Sequence, residues 1–416
     1  MKFQPIPHRN FLFLQGPPGP FFWQLAERLT ALECGIFRIN LNGGDKADWP
    51  GHAINYRGSR RKWTLFLDRF LVDHAITDVV LFGDCRPLHV AAHRMAQLRK
   101  IDVHVFEEGY IRPDWLTLEP SGVNGFSSLS RDPDWYLAEA RNLPPLPNRP
   151  SISASFPRRA RDAFKYYSRV ALLRPLFPFY HSHRRGSLLV EAMGWVQKYA
   201  RGKAEERHAE LIVEALGTQP YFLFPLQLSN DYQIREHSPF QDMTEALHYV
   251  LASFARRAPA DAMLLIKEHP LDASLTPWRR HVDRQARRLG IGDRVVHIAG
   301  GNLKELAADC RGLVTINSTS ATLSLAANVP TIALGKAIYN LPGITHQGRL
   351  DDFWMRPQAP DPAVFDAFRR VLYDRCLIYG GLASESATQT LVESALERLL
   401  GDRVTHWRPA LVAAQG

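Results

Sequence analysis

DVVLFGDCRPLHVAAHRMAQLRKIDVHVFEEG, residues 78–109, contains a complete strand–helix–strand unit. DVVLFGD (78–84) is a short apolar run that breaks at a glycine, and IDVHVFEEG (101–109) repeats the form. Between them a helical stretch runs to Arg99. Two strands joined by a helix of about ten or more residues lie parallel, because only tight turns reverse a chain within a sheet. The unit therefore predicts a parallel α/β sheet, with ligands expected at the carboxyl ends of its strands.

The same logic extends in both directions. NFLFLQG (10–16) reads as a strand broken by Gly16-Pro17-Pro18-Gly19-Pro20, followed by an amphipathic helix from about Phe21 to Glu33. GIFRINL (35–41) is a strand, and KWTLFLDRFLVDH (62–74) is helical. In the second half PYFLFPLQ (220–227), AMLLIKEHP (262–270), RVVHIAG (294–300), GLVTINS (312–318) and VPTIALG (329–335) are strands. Met243, Ala246, Leu247, Val250, Leu251 and Phe254 mark one helical face between the first two, at spacings of three and four residues. The fold class predicted is α/β, with two Rossmann-like domains facing each other across a cleft and a basic helical insertion between them. The boundaries read from the pattern are 1–150, 151–202 for the linker and basic segment, 203–380, and 381–416 for a C-terminal helix and tail.

The 416 residues are 45% hydrophobic, enough for sizeable cores, and carry a formal net charge of +9. That charge favours an anionic partner without choosing among nucleic acid, acidic membrane and anionic substrate. Cys34, Cys85, Cys310 and Cys376 are far apart, without zinc-site spacing, and read as core thiols in a reducing compartment. No signal peptide or membrane-spanning run is visible, so a cytoplasmic chain, at most resting on a membrane face, is expected.

RRARDAFKYYSRVALLRPLFPFYHSHRRG (158–186) follows a proline-rich linker and contains eight basic residues against one acid, +7 of the net +9. Interleaved aromatics suit an interfacial helix on anionic lipid. A solvated basic face is the plain alternative. RNA is disfavoured because no RNA-binding module accompanies the segment.

Five motifs sit at predicted strand ends. KEHP (267–270) brings Lys267, His269 and Pro270; the histidine suits a phosphate or a leaving oxygen, or is merely a turn cap. In TINSTSATLSLA (315–326), Asn317, Ser318, Thr319 and Ser320 precede a helix and suit an anion site, or simple N-capping. LQGPPGPFF (14–22), with Gln15, Gly16 and Gly19, is neither a dinucleotide fingerprint nor a P-loop. It is a turn that lies beside a substrate or is simply structural. PLQLSNDYQIREHS (225–238) exposes Gln227 and Asn230. FEEGYIRPDWLTLE (106–119) pairs Glu107 with Glu108, and Arg112 follows. A carboxylate at a strand end can act as nucleophile or general base, while Arg112 can bind a substrate carboxylate or pair with one glutamate.

These motifs, in this order within two α/β halves, resemble the capsular polysaccharide β-Kdo transferases. The resemblance covers most of the chain. It implies a GT-B glycosyltransferase that moves Kdo from CMP-β-Kdo to a phosphatidylglycerol-type lipid, initiating the poly-Kdo linker of a capsule. In the family, His269 and Ser318-Thr319-Ser320 would hold the CMP phosphate, with Lys267, Pro270, Asn317, Gln227 and Arg112 completing the donor side. Gln15, Gly16, Gly19 and Asn230 would lie on the acceptor side. No metal and no cofactor are expected. β-Kdo from CMP-β-Kdo requires net retention, hence a carboxylate nucleophile as in retaining glycosidases. Glu108 is the expected nucleophile and Glu107 its hydrogen-bond partner or general base, a choice the residues leave open. Expected partners are the anionic acceptor lipid, the inner-membrane surface (with the chain peripheral on its cytoplasmic face) and capsule assembly proteins, including an elongating Kdo transferase. No nucleic-acid partner is expected. The competing readings are a non-catalytic capsule assembly or export partner, and a GT-B enzyme using another nucleotide sugar.

Overall fold

The computed structural model describes residues 8–152, 155–181, 188–228, 232–272 and 274–401. Two compact units divide them. The first takes the described residues within Met1–Ser128, Leu146–His183 and Leu372–Gly416; the second takes Leu129–Pro145 and those within Arg184–Val371.

The first unit contains a seven-stranded sheet: β1 (Asn10–Phe13), β2 (Gly35–Asn40), β3 (Ile54–Asn55), β4 (Asp78–Phe82), β5 (Asp102–Glu108), β6 (Trp115–Pro120) and, from the end of the chain, β12 (Leu377–Tyr379). The order is β12-β6-β5-β4-β1-β2-β3. β1 to β5 are parallel neighbours, as the strand–helix–strand reading predicts, whereas β6 is antiparallel to β5, and β12 to β6. Helices Phe21–Ala31 and Glu385–Leu400 cover one face, where Phe21, Phe22 and Phe106 meet edge-on or tilted at 5.3–5.6 Å. Each such buried aromatic contributes about 2–3 kcal/mol through burial and fixes where β5 ends.

The second unit contains β7 (Tyr221–Pro225), β8 (Met263–Lys267), β9 (Val295–Ile298), β10 (Gly312–Thr315) and β11 (Thr331–Ala333), all parallel, ordered β11-β10-β7-β8-β9. Every residue of β7, β8 and β10 is buried, the signature of a sheet covered on both faces. Helix Met243–Arg257 starts where Asp242 accepts from the amides of Thr244 and Glu245, at 2.9 and 3.0 Å, and its predicted apolar face is buried throughout. The four cysteines are buried and form no disulfide.

The units are interleaved, which the sequence-derived boundaries do not anticipate. Leu129–Pro145 belongs to the second unit because Tyr136 is buried against Phe368, 5.3 Å between ring centroids, and Arg131 donates to the carbonyls of Ala337 and Ile338. The chain after Leu372 returns to the first unit because β12 extends its sheet and Leu391, Val392 and Leu396 enter its core. The 151–202 segment is split at residue 183.

A buried cluster ties the amino ends of the first unit's strands. Asp78 accepts from Arg9 Nε at 3.0 Å and Thr77 Oγ1 at 2.6 Å, and His104 Nε2 lies 2.7 Å away. Burial opposes ionisation of Asp78, but the hydrogen bonds from His104, Arg9 and Thr77 outweigh it and hold the carboxyl at about 2. A depressed carboxyl stabilises the fold above its ordinary value, and that stability is lost as pH falls toward the depressed one, here between about 4 and 2. Asp78→Asn is expected to lower stability by about 2 kcal/mol at pH 7. In melting curves taken against pH, the difference from wild type should shrink below pH about 4; a constant difference would refute the ionic origin.

Candidate functional site

In the first unit, β5 delivers Glu107 and Glu108 to the sheet's carboxyl edge, paired in register with Thr117 and Leu116 of β6. Gly109 follows because a Cβ there would overlap the Trp115 carbonyl. The two carboxylates have separate surroundings. Glu107 Oε1 accepts from the Glu108 amide at 2.9 Å. Burial is the largest influence on Glu107, and with the charges of Glu108 and Asp84 it pushes the carboxyl up to about 7, against the Glu108 amide and Arg86. Burial also disfavours the Glu108 carboxylate, but Arg159 and Arg112 outweigh it and hold this carboxyl below its ordinary value. Arg159 forms an ion pair with Glu108, while Arg112 donates to the Gly109 carbonyl at 3.2 Å. Neighbouring acids are thereby separated into one ionised group and one that exchanges a proton near neutrality.

Arg159 comes from helix Phe156–Leu172, which begins where Ser155 caps the amide of Arg158. This is the predicted basic segment, and its cations do different things. Arg158 pairs with Glu385 at 2.7 Å, and Arg159 with Glu108, whereas Arg161, Lys165 and Arg169 are exposed beside Phe164 and Leu172. Arg184 and Arg185 lie outside the described residues. The opposite side of the helix packs on the sheet's edge. Tyr166 is buried, donates to Asp45 Oδ1 at 2.8 Å, and accepts from Gln15 Nε2 at 2.8 Å and Asn42 Nδ2 at 3.0 Å. A Cβ on Gly44 would lie 2.6 Å from the Tyr166 ring, so the small residue lets the helix dock.

Gln15 is therefore buried with its amide engaged by Tyr166 and, at 3.3 Å, by Tyr180. Gly16 is buried beside it, and the Gly19 amide donates to Asp48 at 2.8 Å. Burial raises the Asp48 carboxyl to about 6 despite that hydrogen bond. Arg86 was not singled out from the sequence. Its charge acts on Glu107, and its cation–π partner is Phe82, 5.9 Å from the ring centroid.

In the second unit, the polar residues following β7, β8 and β10 form a second set. Gln227 and Asn317 exchange hydrogen bonds: Gln227 Nε2 donates to Asn317 Oδ1 at 2.9 Å, and the Asn317 amide to Gln227 Oε1 at 3.1 Å. Ser318 Oγ lies 2.8 Å from Ser320 Oγ and accepts from the Ser320 amide at 3.2 Å, and Thr319's carbonyl accepts from Thr322. The helix after them, Ala321–Ala326, is only six residues long and Ser320 makes no side-chain cap. Its dipole is correspondingly small, and because the amides of Asn317, Ser318 and Ser320 already donate within the unit, the hydroxyls of the turn are the groups it offers to an anion.

Lys267 is buried, and burial lowers its pKa despite the carboxylates of Glu206 and Glu268. His269 Nδ1 accepts from the Leu271 amide at 3.0 Å, which leaves the ring's proton on Nε2 when neutral. Pro270 forms the turn. The His269 carbonyl is held by Lys198 Nζ at 2.8 Å, which also lies 3.6 Å from Glu268. Lys198 belongs to helix Leu188–Leu216, an element that the sequence reading did not identify. Asn230 lies outside the described residues.

Residues 77–381 match the family described as "Capsule polysaccharide biosynthesis protein". The chain is 36% identical over 371 residues to the capsule polysaccharide export protein KpsS of Escherichia coli, covering 88% of this chain and 94% of that protein. It is 35% identical over 391 residues to the capsule polysaccharide modification protein LipB of Neisseria meningitidis serogroup A, covering 90% and 92% respectively. Among solved structures, it aligns with KpsC, beta Kdo 2,7 transferase, of Thermosulfurimonas dismutans. That alignment has a TM-score of 0.43 and 14% identity, over 92% of this chain and 99% of that one.

Proposed function

The chain belongs to the capsule polysaccharide biosynthesis family, and on that premise we propose that it is a retaining β-Kdo glycosyltransferase, using CMP-β-Kdo and a phosphatidylglycerol-type lipid. The observation that carries the proposal is the split pair at the end of β5. A double displacement needs one ionised carboxylate to attack and one neighbouring group that takes and returns a proton near neutral pH. Glu108, held ionised by Arg159 and Arg112, suits the first task; Glu107, raised to about 7, suits the second.

In the proposed first step a Glu108 oxygen attacks the anomeric carbon of Kdo. The bond from that carbon to the phosphate oxygen breaks, and CMP leaves with the electron pair. In the second step the acceptor hydroxyl attacks the same carbon, its proton passes to Glu107, and the Glu108 carboxylate is released. Two inversions give net retention. On the donor side, the proposal assigns the CMP phosphate to His269 Nε2–H and the Ser318-Thr319-Ser320 turn. Lys267 adds positive charge, and the Gln227–Asn317 pair holds the two loops in register. The exposed face of helix Phe156–Leu172 would rest on an anionic inner-membrane surface and leave the chain peripheral on the cytoplasmic side.

Incubation with CMP-Kdo generated in situ and a fluorescent phosphatidylglycerol analogue, read by mass, tests the proposal. A product heavier by one or more Kdo residues supports it; no product, with the donor consumed by a control transferase, favours a non-catalytic role. Stabilisation against heat by UDP but not CMP would indicate another nucleotide sugar. For the membrane face, Arg158 and Arg159 have carboxylate partners, so the exposed cations of the same helix are the ones to test. The triple variant Arg161→Gln, Lys165→Gln and Arg169→Gln is expected to weaken cosedimentation with anionic vesicles by about tenfold or more. Unchanged sedimentation would mean a merely solvated face.

A further inference from the structure

Helix Leu188–Leu216 of the second unit packs along one side over its described side chains, those from Met193 onward. At about 3.6 residues per turn, Gly194, Lys198, Glu205, Ala209, Ile212 and Leu216 fall on one stripe, and these positions are buried or half-buried. Away from that stripe, Met193 is 61% exposed, Val196 72% and Tyr199 92%, with Trp195 at 37%. A lone exposed apolar residue is ordinary. Met193, Val196 and Tyr199, three within two turns of one helix with the half-exposed Trp195 beside them, make an exposed apolar patch.

Charge along the helix identifies the partner's chemistry. Residues 193–203 include the exposed cations Arg201 and Lys203 and no carboxylate, whereas residues 205–214 include Glu205, Glu206, Glu210 and Glu214; Lys198, on the packed stripe, is engaged by the carbonyls of His269 and Asp272. Tryptophan and tyrosine beside flexible cations match the headgroup level of a bilayer, where the rings enter the interface and the ammonium and guanidinium groups reach phosphate. No helix among the described residues is long and apolar enough to cross a membrane, so contact of this kind lies in the membrane plane. We infer that residues 193–203 form a second interfacial membrane contact, seating Met193, Trp195, Val196 and Tyr199 at the surface of an anionic bilayer. It is carried by the second unit, independently of the basic helix of the first. Its choice of anionic lipid rests on the acceptor proposed above; its location does not.

The test uses the full chain with Val196→Cys carrying an environment-sensitive dye, since the four native cysteines are buried. A second protein carries the dye at Phe164→Cys, on the first unit's exposed face. With vesicles of phosphatidylglycerol and phosphatidylcholine, the Val196 dye is expected to shift to the blue and to be quenched by lipids spin-labelled near the headgroup. Pure phosphatidylcholine should give a smaller shift. The double variant Trp195→Ser, Tyr199→Ser should weaken vesicle binding by about tenfold with thermal stabilisation by CMP unchanged. A Val196 dye that stays unshifted on vesicles that bind the protein overturns the inference, even if the Phe164 dye responds. A shift at Val196 without one at Phe164 supports it and removes the membrane role of the basic helix instead. A blue shift that grows with protein concentration in the absence of vesicles would assign the patch to self-association, and would likewise overturn it.

Discussion

Glu108→Gln is expected to lower Kdo transfer by about 10³-fold or more, with the thermal melting curve close to wild type. The amide keeps the volume of the carboxylate but cannot form the glycosyl ester, and its former partner Arg159 is about half exposed, so solvent takes over the lost ion pair. Glu107→Gln should behave differently. Its carboxyl is raised to about 7 mainly by burial, so the deprotonated base accumulates as pH rises through that value, and wild-type turnover should rise with it. The variant should lose this limb of the pH–rate profile while still forming the covalent intermediate, which intact-protein mass spectrometry can detect. A raised carboxyl also makes the native state progressively less stable as pH rises from its ordinary range toward about 7. Glu107→Gln should therefore melt higher than wild type at pH 8 and show little difference at pH 4. If Glu108→Gln retains near wild-type turnover and Glu107→Gln does not, the roles are reversed. If both retain it, the nucleophile lies elsewhere.

The second large effect is expected from Gly109→Ala. A Cβ at this position would overlap the Trp115 carbonyl and lie 2.9 Å from that of Ile111. Neither is the end of a flexible side chain, so β5 and β6 must move apart at the point where Glu108 pairs with Leu116. A loss of about 3 kcal/mol or more follows from such overpacking, a fall of roughly 10 °C in melting temperature for a unit of this size. Transfer should fall even below the new melting point, because the two carboxylates shift with the strand. Gly202→Ala is the matched control: nothing lies within 4 Å of a Cβ there, in helix Leu188–Leu216, and an alanine should leave stability unchanged or raise it by up to about 1 kcal/mol. Equal losses in both variants would remove the steric argument.

Residues with strong local signals were legible without coordinates. The parallel strands β1, β4, β5, β7, β8 and β10 are apolar runs that stop at polar residues, and each motif was read at the end of such a run. β6 was not recognised, because WLTLEP follows a proline-containing turn and pairs back antiparallel. β3, two residues long, and β12, three, carry too little pattern to be read alone. Helix Leu188–Leu216 carries no readable apolar periodicity because its packed side mixes Gly194, Ala209, Ile212 and Leu216 with the partly buried Lys198 and Glu205, while Met193, Val196 and Tyr199 are exposed.

The sequence by itself determined that this chain is an α/β protein whose two halves are built on parallel strands with polar residues at their ends. It also singled out Glu107-Glu108, the KEHP turn and the serine-rich turn as the places to look. Those conclusions depend on periodicity and on neighbours a few residues apart, which a linear string records. Only the tertiary structure decided what distinguishes the two glutamates. Arg159 reaches Glu108 from 51 residues away, on a helix whose composition suggested a membrane face or a solvated basic one, and Glu107 is shifted by its burial together with Asp84 and Arg86, which follow β4. The structure likewise showed Gln15 engaged by Tyr166 across 151 residues. A carboxyl's ionisation is set by the charges and solvent around it, and those are properties of the folded neighbourhood rather than of adjacent positions in the chain.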